Sequence, residues 1–180
     1  MLLRGVERWG AIDTKPPLAD PFGIYGQRLG RASEEALRQA VTRLDLAHRT
    51  NLVAMAAPQG SGRYSVGELR DVLATAVTAF AAARAESVTF APGARVRVCT
   101  GHWGTGAFGG NRVLMAAAQL VAARLAEIDE LLYYSLDLDG VRSFEKGRRV
   151  ADGFAAGTSF DAIVATFDAL GFVWGASDGN

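Results

Sequence analysis

Gly101-His102-Trp103-Gly104-Thr105-Gly106-Ala107-Phe108-Gly109-Gly110 stands between two stretches of opposite character. Before it, Arg95-Val96-Arg97-Val98-Cys99-Thr100 alternates charged and apolar residues, as a strand with one covered face does. After it, the Ala-, Leu- and Val-rich segment from Asn111 to about Glu127 has the composition and spacing of a helix. Leu131-Leu132-Tyr133-Tyr134-Ser135 then reads as a short strand closed by Asp137. Arg95–Asp137 is therefore a β-loop-α-β unit, and the fold class is α/β, a mixed sheet flanked by helices.

On the N-terminal side, a short strand is expected near Gly10–Asp13, followed by a loop-rich segment punctuated by Pro16, Pro17 and Pro21. Ser33 reads as an N-cap, with Glu34 and Glu35 in the first turn, where the helix dipole favours anions. The helix it opens is expected to run through Ala36, Leu37, Ala40, Val41 and Leu44. Pro58-Gln59-Gly60-Ser61-Gly62 is an exposed loop. Ser65 with Glu68 three residues on has capping-box spacing. The stripe Val66, Leu69, Val72, Leu73, Ala76, Val77 and Phe80 marks a long buried face, ended by Pro92-Gly93. Two more helices are expected, over Ser143–Ala155 and Ser159–Leu170, the second capped by Thr158 or Ser159.

Bulk properties remove several functional classes. A length of 180 residues favours one domain, and 49% hydrophobic with 21% charged residues suffices for a real core. With 19 basic and 19 acidic residues the formal charge is zero, which argues against direct nucleic-acid binding through a general basic surface. The single cysteine excludes an internal disulfide. Only two histidines, His48 and His102, leave no four-ligand zinc set. Charge enters the N-terminal stretch before an apolar run forms, and no stretch reaches the length of a membrane span. A soluble cytoplasmic protein with no membrane partner is expected.

The chemistry concentrates in the glycine-rich segment. Glycines let successive backbone N–H groups face one concavity, because a Cβ forbids many of the dihedrals required. The helix that follows is expected to add its unpaired N-terminal donors and the positive end of its dipole. A diphosphate can be held in this way without lysine or arginine. Gly104-x-Gly106-x-x-Gly109 also satisfies the Rossmann fingerprint, but here four residues (Thr100–Trp103) separate the first glycine from the strand. The acid closing the next strand, Asp137, comes about thirty residues on rather than about twenty. A glycine-rich turn with a purely structural role remains the other reading.

The whole run Gly101–Gly110 resembles the diphosphate-binding loop of poly(ADP-ribose) glycohydrolases, whose pattern is Gly-Asn-Trp-Gly-Cys-Gly-Ala-Phe-Gly-Gly. The resemblance extends over residues 95–137, and more loosely to Gly10–Asp13 and to the helix opening Gly157-Thr158-Ser159-Phe160-Asp161-Ala162. It implies a macrodomain-like sheet, with this chain as the C-terminal portion of the family's catalytic domain and incomplete at the N-terminal side. The ligand implied is ADP-ribose or poly(ADP-ribose). Its contacts would be Gly101, His102, Trp103, Gly104, Thr105, Gly106, Ala107 and Phe108, with Leu136 where the family places an aromatic residue against adenine. No cofactor or metal is implied.

Departures from the pattern fall at His102 for asparagine, Thr105 for cysteine and Asn111 for an acidic residue. Leucine in place of a ring at position 136 would forfeit about 0.5–1.5 kcal/mol of stacking, which Tyr133 or Tyr134 could restore. The larger departure is catalytic. In the family, Gly-Gly-Gly followed by Gln-Glu-Glu supplies the general acid that protonates the departing ribose oxygen. Neither motif occurs in this chain. Three versions stay open: a reader of ADP-ribose that does not hydrolyse it, a domain completed by another polypeptide or upstream segment, or an enzyme using another carboxylate among Asp13, Asp20, Glu34 and Glu35. A partner-binding module that keeps the loop as a fold element is the alternative of a different class.

The remaining candidates have plainer readings. His48 and the cluster Lys146, Arg148, Arg149 read as solvated surface, and Cys99 as inert core. Trp103 is expected to pack under the loop, while His102 is either a ligand contact or an ordinary loop residue.

Overall fold

The structure, a computed structural model, describes residues 1–19 and 23–178; Asp20 and Pro21 lie outside the described residues. The chain forms two compact units, one of Leu2–Leu52 and one from Val53 onward together with Met1.

In the first unit, β1 (Leu2–Ile12) pairs with β2 (Val41–Val53) in a two-stranded sheet. Asp13 N–H donates to Ala40 O at 2.8 Å and Gly5 N–H to the Asn51 side chain at 2.9 Å, so the strands run antiparallel. A 3₁₀ turn (Gly26–Arg31) and α1 (Glu34–Ala40) connect them. Ser33 caps α1 as expected, its Oγ accepting Ala36 N–H at 3.1 Å. The helix does not continue through Val41 and Leu44, however: it stops at Ala40, and both residues belong to β2. Val41 and Thr42 are β-branched and stiff at χ1, and pairing with β1 decides what local spacing left ambiguous.

The second unit holds α2 (Val66–Phe90), β3 (Arg97–Gly101), α3 (Arg112–Leu125), β4 (Glu130–Tyr134), α4 (Leu138–Asp152) and α5 (Phe160–Ala169). β3 and β4 pair in parallel, Cys99 opposite Leu132, the arrangement a right-handed β-α-β crossover produces. The Asp129 carboxylate secures the start of the pair, accepting Val96 N–H at 2.7 Å and the Arg84 guanidinium at 2.6 Å. The Ser65–Glu68 capping box is complete, and α2 buries Leu69, Val72, Leu73, Ala76 and Phe80; Val66, expected in the same stripe, is exposed, because it lies in the capped first turn ahead of the packed stretch. α3 is buried along most of its surface, from Leu114 to Ala123, because helices enclose it. Around it lie Tyr64, Val164, Phe167 and Trp174.

α4 approaches α3 closely enough that glycine is needed at 147. A Cβ there would lie 2.8 Å from Ala116 Cβ and from Val113 O. α4 begins at Leu138, five residues before the expected Ser143, because the Asp137 carboxylate accepts Gly140 N–H at 2.5 Å and caps the earlier turn. Cys99, expected in the core, is exposed; the covered side is that of Val96, just before β3, and of the half-buried Val98. No helix among the described residues is long and apolar enough to cross a membrane.

Among the described residues, one polar side chain, Gln119, lies wholly buried in this unit. Its Oε1 accepts the Thr100 hydroxyl at 2.5 Å, and its Nε2 donates to Gly101 O and Met115 O at 3.1 Å each. It thus ties the end of β3 to α3 at the point where the glycine-rich segment departs. Gln119→Leu fits the volume but strands the Thr100 hydroxyl and the Gly101 carbonyl, which should cost about 1–3 kcal/mol. Thermal denaturation should show Tm lowered by several degrees; an unchanged Tm would mean these bonds add nothing to the fold.

Candidate functional site

From Gly101 the chain leaves β3 and closes on itself before entering α3. Gly110 N–H donates to Gly104 O at 2.8 Å, Gly109 N–H to Gly106 O at 2.9 Å and Trp103 N–H to Gly101 O at 2.8 Å. Thr105 folds back on the same turn, both its N–H (3.3 Å) and its hydroxyl (3.1 Å) reaching His102 O. The backbone N–H groups of Gly104, Gly106, Ala107 and Phe108 donate to no acceptor among the described residues. Four of the five residues from Gly104 to Phe108 thus keep a backbone donor outside the loop's own hydrogen bonds.

The glycines divide by what they touch. Gly104 and Gly109 have φ of +69° and +63°, which side chains rarely adopt. A Cβ at Gly101 would lie 3.0 Å from Tyr134 O, and one at Gly110 2.6 Å from Gly104 O. Backbone conformation thus calls for glycine at 104 and 109, the loop's own closure at 110 and the neighbouring β4 carbonyl at 101. Gly106 is different: its φ is ordinary, and the space a Cβ would enter is occupied by the Asp178 carboxylate, with Oδ2 at 2.8 Å.

The α3 N-terminus contributes less than expected. Asn111 Oδ1 caps it, accepting Val113 and Leu114 N–H at 3.1 Å each, and Asn111 N–H is taken by the Tyr64 hydroxyl at 3.0 Å. An asparagine cap uses the donors that would otherwise face a ligand. Burial pushes the Tyr64 phenol up to about 12, so it stays a neutral hydroxyl at any physiological pH.

His102 joins the loop to the end of β4. Its Nε2 lies 3.1 Å from Ser135 O, and its Nδ1 3.0 Å from the Tyr133 hydroxyl. A carbonyl can only accept, so Nε2 carries the proton and Nδ1 accepts from Tyr133, which fixes the neutral tautomer. Burial lowers the His102 pKa, helped by the charge of Arg112. Burial likewise raises that of the Tyr133 phenol. Arg112 meets Asp137 at 3.3 Å. The Gly140 N–H bond, ahead of that guanidinium, holds the Asp137 carboxyl below the usual range.

Of the other residues marked from sequence, Trp103 is half-buried and packs against both core clusters of this unit. Ala107 and Phe108 are exposed at the loop tip, Phe108 by 39%. Leu136 is 89% exposed with φ of +62°, a left-handed conformation that is strained for leucine. Tyr133 packs on Phe144 at a ring separation of 4.6 Å, and Tyr134 is exposed. His48, Lys146, Arg148 and Arg149 are exposed.

Among the carboxylates, Asp13 accepts Lys15 N–H, Glu34 pairs with Arg38, and Glu35 accepts the Gln39 amide; all three belong to the Leu2–Leu52 unit. Asp20 lies outside the described residues. The carboxylate that stands at the loop is Asp178, which sequence reading missed. It arrives by a contact more than seventy positions away in sequence, and nothing in the pattern of residues 173–178 announces it. No three metal-ligating side chains cluster among the described residues.

The His102 environment sets a pH dependence. A depressed histidine pKa means the unfolded chain binds the proton more readily, so stability is complete above the unfolded value of about 6.5 and falls as pH drops toward the folded value. Denaturant titrations at pH 7.5 and 5.5 should show a loss of stability that His102→Gln reduces. An equal loss in both proteins would mean His102 is not responsible.

A family model described as poly(ADP-ribose) glycohydrolase (PARG), macro domain fold, matches residues 25–142, about two-thirds of the chain. The match takes in α1, β2, α2, the whole β3-loop-α3-β4 unit and the start of α4. No curated protein matches. With that share of its length covered, the chain belongs to the poly(ADP-ribose) glycohydrolase family of macro domain fold.

Proposed function

We propose that this chain binds ADP-ribose, free or as the end of a poly(ADP-ribose) chain, with the diphosphate held by the loop Gly101–Phe108. The observation that carries this reading is the set of four uncommitted N–H groups, at Gly104, Gly106, Ala107 and Phe108, beside a glycine that loop closure does not require. Backbone donors of this kind suit a diphosphate because they add charge complementarity without a flexible cation. In this reading His102 and Trp103 shape the loop from behind, Thr105 closes it, and Phe108 covers a ribose. Leu136 offers an apolar surface to the adenine.

Hydrolysis of a ribose–ribose bond needs a carboxylic acid beside the leaving oxygen. The family's Gln-Glu-Glu sequence is not in this chain. The chain alone is therefore proposed to read ADP-ribose without cleaving it, with turnover dependent on a carboxylate supplied by another polypeptide or segment. A second reading, the loop as a fold element of a partner-binding module, draws on the glycines at 101, 104, 109 and 110, each of which backbone conformation or a close backbone neighbour explains.

Calorimetric titration with ADP-ribose separates the two. Binding should be micromolar and abolished by Gly106→Val, whose side chain adds bulk in the middle of the loop, where the Asp178 carboxylate already lies 2.8 Å from the Cβ position. Saturating ligand should also raise thermal stability, by about 2.7 kcal/mol at a hundredfold excess over Kd. Incubation with poly(ADP-ribose) should release no ADP-ribose. Absence of binding, or binding indifferent to Gly106→Val, would favour the fold-element reading; release of ADP-ribose would overturn the non-catalytic assignment.

A further inference from the structure

Three side chains of the run Gly101–Gly110 carry polar atoms: His102, Trp103 and Thr105. The Thr105 hydroxyl bonds within the loop, and Trp103 Nε1 has no hydrogen-bond partner among the described residues. Only His102 therefore ties the loop to another element through side-chain hydrogen bonds. Both ring nitrogens are used, Nε2 on Ser135 O at 3.1 Å and Nδ1 on the Tyr133 hydroxyl at 3.0 Å. Tyr133 is held in turn against Phe144 of α4. Glycine at 140 leaves room for the ring, since a Cβ there would lie 2.5 Å from His102 Nε2. On the backbone side, His102 O accepts both the N–H and the hydroxyl of Thr105, which stands between Gly104 and Gly106. One residue thus joins the end of β4 to the turn that carries the Gly104 and Gly106 N–H groups.

This arrangement suits a neutral ring. Ser135 O can only accept, so Nε2 carries the proton and Nδ1 accepts from Tyr133. A second proton, on Nδ1, would face that donor. Tyr133 would then have to turn its hydroxyl proton away, and no other acceptor receives it among the described residues. The charged groups that face the ring do not compensate. Arg112, at the start of α3, repels an imidazolium, and Asp137, ahead of α4, attracts it, but these two meet each other at 3.3 Å. Burial of the ring opposes the charge as well. The Tyr133 phenol, pushed up by its own burial, stays neutral throughout.

We propose that His102 positions the loop for its ligand and does so only as the neutral imidazole, so that ADP-ribose binding weakens as the pH falls and the ring takes up a proton. This rests on the ADP-ribose reading of the loop. With both nitrogens bonded at the end of β4, the added proton acts through the geometry of the loop rather than by meeting the diphosphate. The binding-competent molecules are those with the neutral ring, and apparent affinity falls by their fraction. The family's loop pattern has asparagine at this position, which does not titrate, so the response belongs to the histidine of this chain.

Calorimetric titration with ADP-ribose from pH 7.5 to 5.0 tests this, over a range in which the charge of the diphosphate does not change. Affinity of the unmodified chain should fall several-fold, and by no more than about thirtyfold, the limit set by an ordinary histidine value of about 6.5. His102→Gln and His102→Asn, neither of which titrates, should each hold one affinity across the range. In the ligand-free protein, the ¹⁵N-amide resonances of Thr105 and Gly106 should move as the His102 ring titrates, and both variants should lack that movement. An equal fall in all three proteins, or an affinity that rises as the pH drops, would overturn the proposal. So would loop amides that stay in place while the ring titrates. No binding at any pH would remove the ligand assignment and the pH effect on binding with it, while the loop resonances would still decide whether His102 positions the loop.

Discussion

The buried amide of Gln119 fixes the geometry on which the loop depends. A parallel β-α-β unit must set the angle at which its first strand gives way to the crossover, and here that junction is a glycine-rich turn with little side-chain mass to hold it. Gln119 grips both sides, taking the Thr100 hydroxyl and donating to the carbonyls of Gly101 and Met115. Buried polar groups are costly unless satisfied, so such a network has one arrangement rather than several. The loop therefore starts from a defined point, and His102 fixes it a second time through Ser135 and Tyr133 at the end of β4.

Between these two attachments the loop closes on its own hydrogen bonds. Backbone conformation or a close backbone neighbour explains why glycine stands at 101, 104, 109 and 110, and leaves Gly106 as the position where a Cβ would instead meet a side chain, the Asp178 carboxylate. A glycine-rich motif thus contains two kinds of glycine, those that make the turn and those that admit something to it. The distinction cannot be drawn from the letters alone. It follows from which atoms a Cβ would meet.

Much of the fold was legible because its signals are local. The Ser65–Glu68 capping box, the Ser159 cap, the buried stripe of α2 and the strand-loop-helix-strand order of residues 97–134 all appear where the pattern put them. The failures share a different cause. The spacing of α1 continues through Val41 and Leu44 and so predicts helix for the first residues of β2, while the partner that makes them a strand, β1, lies some thirty residues upstream. Cys99 was assigned inward because alternation gives two faces without saying which is covered. The start of α4 was placed late because Leu136, with positive φ, sharpens a turn that propensity does not anticipate. The family, too, was legible from the loop motif, and the match over residues 25–142 agrees with it. The C-terminal segment at the loop was not, since contacts of that range leave no trace in a single sequence.

The most direct test is residue-resolved: ¹⁵N-labelled protein titrated with ADP-ribose, following each backbone amide. Binding through the loop predicts that the resonances of Gly104, Gly106, Ala107 and Phe108 move furthest, as their N–H groups take up diphosphate oxygens. Saturable binding that left those four amides in place, shifting resonances elsewhere, would contradict it.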